Sequence, residues 1–386
     1  MKLRVLGLSI AVCLLAACGG KSDAPAAGGD AKPAGDAAAG GDAKSGGELN
    51  VYNWSDYIAE NTVPDFEKKT GVKVTYDVFD SNEMVESKLL AGASGYDIVV
   101  PTLNFLGRQI QAGVFQPLDK SKIPNLANLD PEMMKRIALQ DPDNKYAVPY
   151  HWGTTGIGYN VDKVKAAFGN TDVTGSWDIV FKPENLSKLK SCGVTFLDTP
   201  SEIIPIALNY LGEDPNSTDP AVIDKAAALL KTIRPYITQF HSSQYIDSMA
   251  KGSTCLVVGW SGDVIIARGR AEEAKNGVKI GYSIPKEGAP LWFDMLAIPK
   301  DAKNVENAYK FIDYLLEPQV AADNTNVVSY PNANLKATDL IKKEITGDPT
   351  IYPPADVRAK LFTFAIIPPD VDRQYTRIWT QLKTGR

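Results

Sequence analysis

Histidine is nearly missing from this 386-residue chain, which holds only His151 and His241. Metal clusters and histidine-based catalytic triads therefore have almost no material. Cysteine is scarce too, with four residues in all. The G-x-S-x-G elbow, the Walker A loop and a glycine fingerprint placed after a strand are absent. Asp141-Pro142-Asp143-Asn144 begins like a calcium loop but lacks the glycine and the terminal glutamate, so it reads as a polar turn. Basic charge is not in excess either: the net charge of −5 argues against nucleic acid and anionic membrane surfaces as partners. Together these absences point away from an enzyme and imply neither a cofactor nor a metal.

Long apolar runs are missing as well. The one near the start, Leu6 to Leu15, is too short to span a bilayer, and Lys2 and Arg4 precede it. That is the layout of a signal peptide. It closes on Leu15-Ala16-Ala17-Cys18, which fits the bacterial lipobox and implies cleavage before Cys18 and lipidation of its sulfur. Residues 1–17 are thus expected to be a lipoprotein signal peptide. Residues 18–47 are the lipidated cysteine and a tether of mostly Gly, Ala, Lys, Asp, Ser and Pro. A stretch with no apolar residue larger than alanine cannot offset its ordering entropy. As a coil it would span roughly 30 Å. The chain is therefore expected in the periplasm, touching membrane only through its lipid. Cys13 leaves with the signal, and Cys192 and Cys255 remain. In an oxidising compartment they read as one disulfide, with two buried free thiols as the alternative.

From residue 48 onward the sequence is globular, with short β-rich runs alternating with amphipathic ones. Strands are expected at 48–52, 72–78 and 96–100. Helices are expected at 62–70, 83–91 and 105–112, each followed by glycine. This order calls for a mostly parallel sheet flanked by helices, with ligands beyond the carboxyl ends of the strands. Residues 147–160 (AVPYHWGTTGIGYN) suit a crossing to a second lobe. A second α/β set follows: strands at 194–198 and 255–260, with a helix at 221–233. The stretch 277–299 could cross back, and Val305, Tyr309, Ile312 and Leu316 mark one face of a helix. The expected fold class is α/β with two hinge-connected lobes. The expected divisions are 48–150 and 276–318 in the first lobe, 151–275 in the second, and 319–386 mainly in the second lobe and hinge.

The positive signal is one constellation repeated. Trp54-x-Asp56, Trp260-x-x-Asp263 and Trp292-x-Asp294 each set a carboxylate near an indole at a strand end or loop. Trp177-Asp178 looks alike, but Ser176 before an apparent helix start makes it more simply a cap. An indole face and a carboxylate are both partners for a cation. Three such sites facing one cleft would suit an elongated cation with an amine at each end. The plainer alternative is that these tryptophans pack and the aspartates cap helices.

Several runs go further: YNWSDY, VFDSNE, DIVVP, GIGYN, HSSQY, GWSGDV, WFDM, SYPNAN and IYPPADVRAKLF. They closely resemble the periplasmic polyamine-binding proteins of bacterial ABC transporters, over nearly all of residues 48–386. The resemblance implies a type II periplasmic binding fold closing over its ligand about a hinge. It also implies a disulfide at Cys192 and Cys255. Its ligand positions fall on Trp54, Ser55, Asp56, Tyr57, Thr102 (where many members have serine), Glu202, Trp260, Asp263, Trp292, Asp294 and Tyr330. Trp292 stands where putrescine receptors of this kind typically have phenylalanine, and the wider ring face leans the expectation toward spermidine. In this reading Asp263 and Asp294 hold one amine, while Glu202 and Asp56 help with another. The implied partners are the polyamine and the inner-membrane permease, with the receptor a monomer.

Other readings predict different things. A receptor for another cationic or sugar-like solute shares the fold. A surface hydrolase using Asp56 and Glu202 as an acid–base pair needs the two carboxylates at a common site. A sensor of polyamine status would bind the same ligand and serve a different membrane partner.

Overall fold

The computed structural model describes residues 46–385. The expected signal peptide, Cys18 and the tether up to residue 45 lie outside the described residues. Leu49 and Val51 alternate with less buried neighbours and set the first strand, β1 (Glu48–Trp54). Helix α1 (Thr62–Thr70) follows and stops at Gly71, whose left-handed backbone (φ 73°) lets its N–H donate to the Glu67 carbonyl. Strand β2 (Lys73–Phe79), helix α2 (Asn82–Leu90), the short strand β3 (Ile98–Val99) and helix α3 (Leu103–Gln111) complete this part. Both β2 and β3 lie parallel to β1, one on each side. This matches the alternation of strand and helix in the sequence.

Beyond it come β4 (Ala147–Asn160), β5 (Val194–Phe196), α4 (Pro200–Tyr210), α5 (Pro220–Ile233), β6 (Gln239–Phe240) and β7 (Leu256–Trp260). Then follow α6 (Ser261–Glu273), β8 (Ile280–Ser283), β9 (Leu291–Ala297), α7 (Val305–Leu315), α8 (Pro318–Val328) and α9 (Pro369–Thr384). The strands join in the order β2-β1-β3-β9-β4-β7-β5-β6, with β8 also on β4. Pairs confined to one lobe, β1 with β2 and β3 or β5 with β6 and β7, are parallel. The two crossing strands run antiparallel to their neighbours.

Strand β4 holds the lobes together. Its first half pairs with β9 and its second half with β7 and β8. The register shifts between Pro149 and Trp152, where proline has no N–H to give the ladder. The fold is thus the two-lobed α/β architecture of type II periplasmic binding proteins.

Cys192 and Cys255 form a disulfide, their Cα atoms 5.6 Å apart, just ahead of the neighbouring strands β5 and β7. The free-thiol alternative is thereby excluded. Closing a loop with a sequence separation of 63 contributes about 4 kcal/mol in the chain-entropy view. Helices α4, α8 and α9 are among those not anticipated. Helix α4 is apolar on nearly every side and buried through most of its length. Helix α9 buries Val371, Tyr375, Ile378, Trp379 and Leu382 at helical spacing and packs on α4 and α5.

Candidate functional site

The strand ends bring the Trp–Asp pairs to one place. Trp54 ends β1, and Trp260 ends β7 with Asp263 in the first turn of α6. Trp292 and Asp294 are two apart on β9 and so share a face. Thr102 opens α3, Glu202 lies in the first turn of α4, and Tyr330 follows α8. Trp54, Ser55, Tyr57, Thr102, Glu202, Trp260, Asp263, Trp292, Asp294 and Tyr330 line a single cavity. These are ten of the eleven residues named from the sequence.

Each carboxylate in the cavity is held by neutral donors. Asp263 accepts from the hydroxyls of Tyr245 and Tyr330, both at 2.7 Å. Asp294 accepts from Tyr57 at 2.9 Å and Thr102 at 2.7 Å. Glu202 accepts from Thr155 at 2.5 Å and from the Trp260 indole at 3.0 Å. No Lys, Arg or His is among the lining residues. Burial therefore dominates, and it pushes Glu202, Asp263 and Asp294 each up to about 7 despite those hydrogen bonds. Three buried acids with no cation among the residues that line their cavity are costly as anions. What would stabilise them is a cation with more than one charge.

The rings form the walls. Trp54 and Trp260 meet edge to face with centroids 5.3 Å apart. Tyr330 lies 5.3 Å from Trp292 and 5.1 Å from Tyr57. The Tyr330 hydroxyl also accepts from the Asp263 N–H at 3.1 Å, so ring and carboxylate fix each other. Gly262 makes room for this: a Cβ there would sit 2.4 Å from the Tyr330 ring. Gly262→Ala is accordingly expected to displace Tyr330 and lower stability by on the order of 1 kcal/mol. Denaturant unfolding with a parallel ligand titration would test this, and an unchanged midpoint would show that the ring yields freely.

Asp56 departs from the expectation. Its backbone is left-handed (φ 54°), a conformation aspartate tolerates, and its carboxylate pairs with Arg270 of α6 at 2.5 Å instead of lining the cavity. Arg270 also holds Asp247 at 2.8 Å. Glu202 faces the cavity and Asp56 does not, so the acid–base pair that a hydrolase would need is not assembled.

Trp177 is fully buried and donates to the Gly288 carbonyl, whereas Asp178 stays partly exposed, its N–H donating to Ser176 and its carboxylate pairing with Lys182 at 2.9 Å, so that pair is structural. His151 is buried against Tyr57 and Tyr150 and kept neutral, since burial pushes it down to about 3. Sequence reasoning missed the residues that orient the lining. Asn82 donates to the Thr102 hydroxyl and accepts its N–H, and Tyr245 and Thr155 bind the carboxylates. Asn82 and Tyr245 lie in the VFDSNE and HSSQY runs, which were signal enough to find them. Nothing in the sequence singles out Thr155.

Comparison with known proteins gives consistent results. A family model described as bacterial extracellular solute-binding protein matches residues 61–353. The putrescine-binding periplasmic protein PotF of Escherichia coli is 58% identical over 339 residues, 88% of this chain and 92% of that protein. The putrescine-binding periplasmic protein SpuD of Pseudomonas aeruginosa is 55% identical over 338 residues, with coverages of 88% and 92%. Among solved structures, the spermidine/putrescine ABC transporter substrate-binding protein PotD of Streptococcus pneumoniae superposes with a TM-score of 0.69. It is 30% identical and covers 87% of this chain and 98% of its own.

Proposed function

Because the chain belongs to the bacterial extracellular solute-binding proteins, we propose that its solute is a polyamine, putrescine or spermidine or both. It would be captured between the lobes and delivered to the permease of an ABC transporter. One observation carries the choice of ligand: three buried carboxyls, with no basic residue among the lining, enclosed by aromatic rings. An ammonium placed there gains charge-assisted hydrogen bonds of about 1.5–3 kcal/mol each and cation–π contacts of about 0.5–2 kcal/mol each. A few of each would support micromolar or tighter binding. The named relatives bind putrescine, which favours the same class.

In this reading Asp263, Asp294 and Glu202 pair with the ammonium groups. Trp54, Trp260, Trp292, Tyr57 and Tyr330 enclose the methylene chain, and Ser55 and Thr102 line the wall beside them. The ligand stabilises the closed form by the contacts that only closure makes, and the closed form docks on the permease. Lobe divisions at 48–150 with 276–318 for the first lobe, 151–275 for the second, and 319–386 mainly in the second lobe and hinge belong to the same proposal. So does a periplasmic monomer anchored through a lipid on Cys18, which rests on the Leu15-Ala16-Ala17-Cys18 run.

Titration calorimetry with putrescine, spermidine and cadaverine tests the proposal, and no heat with any of them would sink it. Trp292 sets a second expectation. Its indole offers a wider face than a phenyl ring and is held by the Thr155 hydroxyl at 3.2 Å. Trp292→Phe should lower the spermidine-to-putrescine affinity ratio by about twofold or more. A fixed ratio would end the argument from ring size.

A further inference from the structure

A fourth carboxyl stands behind the cavity without lining it. Glu83 lies in the first turn of α2, in the first lobe, and accepts from the Ser201 hydroxyl of α4 at 2.9 Å. Ser201 immediately precedes Glu202, so this contact crosses between the lobes at the Glu202 end of the cavity. The residue as a whole is only partly buried, yet its Oε2 is sealed from solvent and has no hydrogen-bond partner among the described residues. The nearest cation does not neutralise it: Arg108 is taken up by Glu86 on one side and by Asp372 at 3.0 Å on the other. Burial pushes Glu83 up to about 7, and its proximity in turn helps to raise Glu202. An under-bonded acid in such a place costs stability as an anion. It becomes useful when positive charge arrives next to it.

We propose that Glu83 is a specificity-determining residue of the polyamine site, adding from behind Glu202 negative charge that favours a triamine over a diamine. The inference rests on the polyamine reading above. A diamine brings two ammonium groups, which the cavity's own three carboxyls can balance with one proton retained. A triamine brings a third and takes up all three carboxyls with none in reserve, so the field that Glu83 adds at the Glu202 end weighs more for the triamine than for the diamine. Ser201, Glu202, Arg108 and Asp372 are the polar and charged groups that Glu83 meets there, and of these only Glu202 faces the ligand.

Glu83→Gln tests this in the full chain, because glutamine keeps the shape and can still accept from Ser201. Spermidine affinity should fall about tenfold while putrescine affinity changes by no more than about twofold. An equal loss for both ligands would reveal a purely structural lobe contact and overturn the proposal, as would an unchanged spermidine affinity. A measurement on the unmodified chain covers the case in which the variant fails to fold. Calorimetry in buffers of different ionisation enthalpy at pH 7 should show more protons released by spermidine than by putrescine, and equal release overturns the inference. If the unmodified chain binds neither ligand, the polyamine reading itself falls. An unchanged ligand ratio overturns the Glu83 assignment alone.

Discussion

Replacing Asp263 by asparagine is expected to weaken polyamine binding by about 1.5–3 kcal/mol, which is ten- to a hundred-and-fifty-fold. The substitution keeps the volume and removes the charge. Both carboxylate oxygens are already engaged by the Tyr245 and Tyr330 hydroxyls, so what the ligand draws from Asp263 is mainly its negative charge at short range. Asparagine would also turn an amide toward one of those hydroxyls, which must then accept instead of donate. Stability should move differently from affinity. Burial already holds Asp263 up to about 7, so the ligand-free protein at pH 8 carries a charge there that it would be easier to fold without. The expected pattern is a large loss of affinity with a melting temperature that holds or rises at pH 8. An unchanged affinity would remove Asp263 from the site. A drop in melting temperature that accounts for the lost binding would make its role structural.

How much of this the sequence disclosed depends on what each element is made of. The strands β1, β2 and β7 and the helix α7 were legible because alternation or helical spacing was bounded by glycine or proline. Trp54, Trp260 and Trp292 stood out because each has a carboxylate close by in sequence. Helix α4 was not legible, because PSEIIPIALNY is apolar on almost every side with proline inside it. A helix buried all round has no polar face to mark its period. Glu202 depends on that helix, so its place in the cavity came only from resemblance. Asp56 shows the converse. Its sequence context is as good as that of Asp263, but a single left-handed residue sends its carboxylate to Arg270. Local spacing fixes which residues are close, and backbone conformation decides which way they face. Asn82 and Tyr245 lie in runs that marked them, but which residue each supports, 18 to 47 positions away as for Thr155, becomes visible only once the topology is known.

Apparent polyamine affinity is expected to rise with pH through about 7 and to level off above it. Glu202, Asp263 and Asp294 each titrate near 7 in the ligand-free protein, and an ammonium pairs with the anion. At pH 6 each carboxyl that must ionise costs about tenfold in affinity. Two such groups give about a hundredfold weaker binding at pH 6 than at pH 8. Stability of the ligand-free protein should run the other way. The folded-state pKa of these acids lies above the ordinary carboxyl value near 4, so between those limits the folded state holds more protons than the unfolded one. Their contribution is therefore fully present below pH 4 and is lost as pH rises through 7. Bound ligand reverses this by holding the carboxylates ionised, so the stabilisation that polyamine confers should be larger at pH 8 than at pH 6. Calorimetric titrations and melting curves at pH 6, 7 and 8 read both slopes in one set of samples. An affinity that stays flat across that range would mean the three acids are already ionised in the empty cavity. The case for a site waiting on a polycation would then lose its physical basis.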